Sequence, residues 1–305
     1  MTPVRVATRK SALALAQTRA FMAELVKVHP GLRVEEVPLT TTGDRIQDRA
    51  LAAIGGKGLF VKEIEEALLE GRADLAVHSL KDVPPELPPG LLIGCFPLRE
   101  DARDALVSGD GRGLAELPTG ARVGTSSLRR KVQLEAVRPD LEVVALRGNV
   151  DTRLAKCASG EVSAIVLARA GLTRLGLLAR VTETLAPDVM IPAVAQGALG
   201  IEHRAGDERI AALLAPLSHE ETKISVTSER GVLREVQGSC QVPVAAYARR
   251  DGSEMVLSGL LAEADGSNVR HAEVRAEWPR DDAAAEALGR ELGRRLRAGG
   301  PGSPG

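Results

Sequence analysis

The chain has 305 residues, 44% of them hydrophobic and 27% charged, with a formal net charge of −1. That length predicts about two or three domains, and the apolar fraction excludes wholesale disorder. Five aromatic residues, Phe21, Phe60, Phe96, Tyr247 and Trp278, leave the cores to aliphatic side chains. So few rings exclude a stacking platform for single-stranded nucleic acid, and the neutral charge balance excludes non-specific polyanion binding as the main role. No apolar run approaches the ~20 residues a membrane helix needs. The opening Met1-Thr2-Pro3-Val4-Arg5 lacks the basic-then-apolar order of a secretory signal. Cys95, Cys157 and Cys240 are far apart and form no Cys-x-x-Cys pair, so neither a disulfide framework nor a metal site is expected. The cytoplasm is the expected compartment.

In chain order, Val4 to Thr8 reads as a strand, and Ser11 caps a helix that runs to about Val28 and stops at His29-Pro30-Gly31. Arg33 to Thr40 is a second strand. A polar, Gly-rich connection, Thr41 to Gly58, leads into a helix from Leu59 to Glu70. Leu75-Ala76-Val77 is a short buried strand, and Pro84, Pro85, Pro88 and Pro89 then forbid helix until Leu91. The alternation repeats after Asp104, with strands at Ala105 to Val107, Arg122 to Gly124, Leu141 to Leu146 and Ala164 to Leu167. Ser126 or Ser127 caps one intervening helix and Asn149 opens another. Pro187 to Pro192 interrupts the run, which resumes at Ala198 to Glu202. Such alternation is the mark of α/β layers with mainly parallel sheets. After Ser218 the pattern changes to a helix from Glu220 to Val236, strands at Val242 to Ala248, Glu254 to Leu261 and Val269 to Glu277, and a helix from Asp281 to Leu296. That is a small α+β domain with an antiparallel sheet. The tail from Gly299 to Gly305 is Gly, Pro and Ser only and is expected to be disordered.

Charge is unevenly distributed. Ala121 to Arg180 holds eleven Lys or Arg against five Asp or Glu, a local net of +6. Either this is a solvated basic face or it is a site for a compact anion. Thr125-Ser126-Ser127-Leu128-Arg129-Arg130 leaves a strand and opens a helix, so hydroxyls, first-turn amides and two guanidinium forks can meet a carboxylate or phosphate there. Arg147-Gly148-Asn149 repeats the arrangement, with Arg153 one turn further along its helix, and Arg9-Lys10-Ser11 does likewise after the first strand. In open parallel sheets, ligands gather at the carboxyl ends of strands, where all of these groups fall. His78-Ser79-Leu80-Lys81-Asp82 leaves another strand end. Asp82 is an acid among cationic strand ends, either the partner of Lys81 in a turn or a catalytic carboxylate; His78 suits a core or turn histidine. Gly55-Gly56-Lys57-Gly58 fails as a phosphate loop, because Lys57 is followed by Gly58, and reads as a mobile anion-facing loop or a flexible connector. Cys240, in Gly238-Ser239-Cys240-Gln241-Val242-Pro243, is a loop thiol suited to nucleophilic attack or covalent attachment, whereas Cys95 and Cys157 fit inert filling positions.

Together these segments resemble the porphobilinogen deaminase, or hydroxymethylbilane synthase, family. The matching stretches are Ala7 to Ala14, Gly55 to Glu63, Val77 to Pro84, Gly124 to Arg130, Leu146 to Val150, Ala170 to Gly176, Pro192 to Gly197 and Gly238 to Pro243, in the family's order across nearly the whole chain. Leu80 stands where Met is expected, Ala195 and Ser239 where Gly is, and Arg169 is an additional cation. The resemblance implies two doubly wound α/β lobes like those of periplasmic binding proteins, 1–97 with 198–217 and 98–197, and an α+β domain, 218–298. It implies a cytoplasmic, monomeric enzyme that condenses four porphobilinogens with loss of ammonia, independent of nucleic acid and membrane. Cys240 would carry a dipyrromethane cofactor by a thioether. Asp82 would be catalytic. Arg9, Ser11, Lys81, Thr125, Ser126, Ser127, Arg129, Arg130, Arg147, Gly148, Arg153, Arg174 and Gln196 would bind cofactor and substrate. Gly55, Gly56, Lys57, Gly58 and Phe60 would belong to a mobile loop. A non-catalytic two-lobed anion-binding protein would also account for the arginines, but it gives Cys240 and Asp82 no task.

Overall fold

The computed structural model describes residues 2–45, 60–236 and 242–299. Gly55 to Gly58, Cys240 and the tail beyond Gly299 therefore lie outside the described residues. In chain order the elements begin with β1 (Val4–Arg9), α1 (Ala12–Val28), β2 (Val34–Leu39), α2 (Lys62–Leu69), β3 (Leu75–Ser79) and β4 (Leu91–Cys95). There follow β5 (Asp104–Ser108), β6 (Arg122–Gly124), α3 (Leu128–Val137), β7 (Glu142–Val144), α4 (Val150–Ala158), β8 (Ala164–Ala168), α5 (Arg169–Arg174) and β9 (Glu183–Thr184). The last are β10 (Leu199–Arg204), α6 (Glu208–Leu214), α7 (Glu220–Glu235), β11 (Val244–Asp251), β12 (Glu254–Leu261), β13 (Arg270–Glu277) and α8 (Asp282–Ala298).

Two compact units result, Met1–Glu100 with Ala198–Lys223, and Asp101–Gly197 with Ile224–Gly305. The first holds a five-stranded sheet in the order β2-β1-β3-β10-β4. β1 pairs in parallel with β2 and β3, while β10 runs antiparallel between β3 and β4. Both faces are covered, as the apolar strands require. Val4, Val6, Leu75, Val77 and Ile201 meet Phe21 and Leu25 of α1 and Ile210 and Leu214 of α6. On the opposite face Ala7 and Ala76 meet Ile64 and Leu68 of α2.

The second unit repeats this topology in the order β7-β6-β8-β5-β9, with β6 parallel to β7 and β8, and β5 antiparallel to β8 and β9. Leu106, Val123, Ala164 and Val166 pack on Leu134 of α3. Ile165 and Leu167 pack on Leu154 and Cys157 of α4 and Leu172 of α5. The same unit contains the antiparallel sheet β11-β12-β13. Val132 of α3 and Ile191 share a core cluster with Ala245 of β11 and Leu260 of β12, so this sheet is continuous in packing with the α/β part of its unit.

β4 and β9 are not evident in the sequence. Leu91–Cys95 follows a proline-rich stretch and contains Gly94, and it becomes a strand through pairing with β10, more than a hundred residues later. Lys81 and Asp82 do not simply trail off a strand end. They lie in a 3-10 turn, Leu80–Asp82.

Candidate active site

In the first unit the polar groups lie at the carboxyl ends of β1 and β3. Ser11 is the N-cap of α1, its Oγ accepting from the Ala14 amide at 3.4 Å. Arg9, the last residue of β1, places its guanidinium 4.2 Å from the centre of the Phe60 ring, within the range of a cation–π contact. The ring lies so close to Gly43 that a β-carbon at that position would force the ring to move. After β3, buried Leu80 and Val83 anchor the 3-10 turn, and the Leu80 amide donates to the Ala198 carbonyl at 3.0 Å. Between these anchors Lys81 and Asp82 are exposed. Among the described residues none forms a hydrogen bond or ion pair with the Asp82 carboxylate, so the lysine-paired turn is not what forms here. His78 is a core histidine, its Nε2 2.8 Å from Oε2 of buried Glu202.

The second unit presents its groups at the corresponding strand ends. Ser127 caps α3 by accepting from the Arg130 amide. Ser126 Oγ donates to the Leu146 carbonyl, and Thr125 Oγ1 accepts from the Ser127 amide at 3.2 Å. Asn149 caps α4, its Oδ1 accepting from both the amide and the hydroxyl of Thr152 at 2.8 Å. Gly148 has a φ of +115°, and a β-carbon there would lie 2.7 Å from the Thr152 side chain, so this turn requires glycine. Arg153 Nε donates to the Gly148 carbonyl at 2.8 Å, and Arg174 Nη2 to the Gly197 carbonyl at 2.6 Å. Arg147 is half-buried, with no carboxylate paired to it among the described residues.

Arg129 and Arg130 are both buried, at 5% and 6% exposure, and converge on Asp104, which is fully buried. Arg130 donates from Nε and Nη2 to Oδ1 at 3.1 and 2.8 Å, and Gln196 Nε2 donates to the same oxygen at 2.9 Å. Arg129 Nη2 lies 2.8 Å from Oδ2 in an ion pair, while its Nη1 donates to the Ile191 carbonyl at 2.7 Å. Burial opposes ionisation of Asp104, but the Arg129 and Arg130 charges and the hydrogen bonds outweigh it and bring its carboxyl down to about 2. Burial lowers Arg129 and Arg153, and the charge of Arg130 presses on both. Arg129, Arg130 and Arg153 thus bring three positive charges together with one carboxylate as their ion-pair partner among the described residues. A positive surplus in a desolvated place calls for an anion.

Arg169, the additional cation, is held by Asp101 at 3.1 Å. Sequence reading passed over both Asp104 and Asp101. The signal available for Asp104 was the need of two adjacent arginines for a counter-charge.

Residues 4–212 match the family model "Porphobilinogen deaminase, dipyromethane cofactor binding domain", and residues 223–298 match its C-terminal domain. The chain belongs to the porphobilinogen deaminase family. It is 57% identical over 298 residues to the porphobilinogen deaminase of Sorangium cellulosum, covering 98% of this chain and 99% of that one. It is 52% identical over 297 residues to that of Syntrophotalea carbinolica, covering 97% and 93%. Among solved structures it is similar to an ancestral cationic amino acid solute-binding protein, with TM-score 0.43, 15% identity, and 70% of this chain and 87% of that one covered. It is also similar to the periplasmic VFT2 domain of Bordetella pertussis BvgS, with TM-score 0.39, 15% identity, and 74% and 91% covered.

Porphobilinogen deaminases are enzymes of tetrapyrrole synthesis, and the dipyrromethane belongs to the matched amino-terminal region. The donor set of the second unit fits such a group, since acetate and propionate side chains supply the negative charge that Arg129, Arg130 and Arg153 lack. Among the described residues no group of acids, histidines and cysteines could hold a metal ion, and no helix is long and apolar enough to cross a membrane.

Proposed function

We propose that this chain condenses four porphobilinogens head to tail, losing ammonia at each step, and that reaction with water finally frees linear hydroxymethylbilane, with its residues in the following roles. Arg129, Arg130, Arg147, Arg153 and Arg174, together with Thr125, Ser126, Ser127 and Gly148, receive acetate and propionate groups of the cofactor and the growing chain, while Gln196, fully buried, braces them through Asp104 rather than meeting a carboxylate itself. The observation that carries this reading is the surplus of guanidinium charge around Asp104 at the strand ends. Arg9, Ser11 and Lys81 bind carboxylates at the strand ends of the first unit. When bound, the dipyrromethane supplies a pyrrole α-carbon as the nucleophile. Loss of ammonia from porphobilinogen leaves an electron-poor azafulvenium cation whose charge spreads to the pyrrole nitrogen. The exposed Asp82 carboxylate, held in a turn between buried Leu80 and Val83, accepts hydrogen bonds from pyrrole N–H groups and stabilises that cation. It also assists proton transfer to the departing amine.

Cys240 is proposed as the attachment point through a thioether. It lies outside the described residues, but the other two thiols support the choice. Burial pushes Cys95 up to about 12 and raises Cys157 as well, so neither offers a thiolate near neutral pH. Also part of this reading are the division into 1–97 with 198–217, 98–197 and 218–298, a monomer, and a cytoplasmic location. Intact mass of the purified protein, followed by tryptic mapping, tests the attachment. An adduct of two deaminated substrate units on the Cys240 peptide is expected, with Cys240→Ala folded but colourless in Ehrlich's reagent. An adduct on the Cys95 or Cys157 peptide would overturn it.

A further inference from the structure

We propose that Asp104 is a positioning residue for the reaction, joining Arg129 and Arg130 into a single carboxylate-binding unit. The proposal rests on reading those two arginines as receivers of substrate carboxylates. Neighbouring residues of an α-helix diverge by about 100° and do not face a common partner. Arg129 and Arg130 follow one another on α3, yet both forks end on one buried carboxylate. The acid overcomes the divergence that the helix imposes.

Asp104 occupies the right place for this. It is the first residue of β5, which runs antiparallel to β8, with Asp104 opposite Ala168. It therefore lies at the edge where β6, β7 and β8 end and where the anion-binding segments begin. Its Oδ1 is held by Arg130 and by Gln196, which is fully buried and bonded also to the Ala102 carbonyl at 2.7 Å. Each fork is also tied to the backbone, Arg129 to the Ile191 carbonyl and Arg130 to the Val166 carbonyl at 2.9 Å. Each guanidinium plane is thus fixed by the acid on one side and a backbone carbonyl on the other. Removing the negative charge would leave Arg129, Arg130 and Arg153 in mutual repulsion with nothing to hold the first two together.

A double-mutant cycle on the cofactor-loaded enzyme tests this, reading kcat and KM for porphobilinogen separately. Asp104→Asn keeps the shape and removes the charge. It is expected to raise KM about tenfold or more, the loss that follows when a charge-assisted guanidinium–carboxylate contact is weakened, with kcat affected much less. Because Asp104 acts through Arg130 as well as Arg129, the KM effect of Asp104→Asn is expected to be smaller in an Arg130→Gln background than in the parent, the remainder being carried by Arg129. Unchanged KM in Asp104→Asn with a lowered melting temperature would mean a structural role only, and independent multiplication of the two KM effects would equally overturn the proposal. If Asp104→Asn does not fold, Gln196→Met deletes one hydrogen bond to Oδ1 while keeping the carboxylate. It is then expected to raise KM by a smaller factor that also shrinks in the Arg130→Gln background, and an unchanged KM overturns the proposal. Failure of the functional reading is distinct, since the parent enzyme would then consume no porphobilinogen.

Discussion

Asp82 and Ala195 show how much rests on single positions. At Asp82, charge and geometry can be separated. Asp82→Asn retains size and a hydrogen-bond acceptor but loses the negative charge facing the cation. Single-turnover ammonia release is expected to fall by ~10²–10³, typical of deleting one preorganised transition-state partner. Asp82→Glu keeps the charge and displaces it by about one methylene, a shift near the ~1 Å that can cost ~10²-fold. Glu is expected to retain more activity than Asn, and both to bind substrate. Turnover of the Asn variant at the parental rate would reduce Asp82 to a structural role. Ala195 has a φ of +58° and is buried, and its amide donates to Oε2 of buried Glu229 at 2.6 Å. The left-handed conformation costs an L-residue about 1–2 kcal/mol. Glycine would relieve that strain, but it would lose a buried methyl worth about 0.8 kcal/mol and gain unfolded-state entropy of about 0.5–1 kcal/mol. The effects nearly cancel, so alanine is tolerated at a position where glycine was expected. Ala195→Gly is accordingly expected to shift stability by less than about 1 kcal/mol in urea unfolding, whereas Ala195→Val, β-branched in the same conformation, is expected to lose more than about 2 kcal/mol.

The elements were legible to different degrees, for physical reasons. Ser11, Ser127 and Asn149 announce their helices because a cap is a local bargain between one side chain and an amide three residues on. β4 and β9 were hidden because their pairing is remote or brief. Asp104 was hidden because it lies 25 and 26 residues before its arginines, and sequence spacing alone does not reveal that meeting. The arginine segments were legible as anion sites, while the internal acid that organises two of them was not. Cap geometry gives a graded expectation. Ser127 accepts its amide at 3.4 Å, whereas Asn149 accepts two donors at 2.8 Å. Asn149→Ala is therefore expected to cost about 1–2 kcal/mol and Ser127→Ala about 0.5 kcal/mol, the two ends of the usual range. Equal losses in urea unfolding would show that the distances do not report cap strength.

At the scale of the molecule, two sheets share one strand order and place their polar groups at the same ends, while the pH response is set elsewhere. Glu65 of α2 is raised to about 7 by burial and by the charge of Glu202, with His78 opposing. A carboxyl that prefers its proton when folded leaves stability unaffected below about 4.5, erodes it as pH climbs towards 7, and leaves a constant penalty above. Glu65→Gln is thus expected to raise the melting temperature at pH 8 and leave it nearly unchanged at pH 4. A gain confined to acid pH would reverse the sign of the assignment. The strand order has another consequence, in the time domain of synthesis. β10, which lies between β3 and β4, is separated from them in sequence by the whole α/β part of the second unit. While the ribosome is still making residues 101–197, the nascent first sheet has two open flanks where β10 belongs, with bare amides and carbonyls available to any neighbouring strand. The later-made sheet, whose strands all lie between Asp104 and Thr184, can close first, so the order of maturation runs against the order of translation.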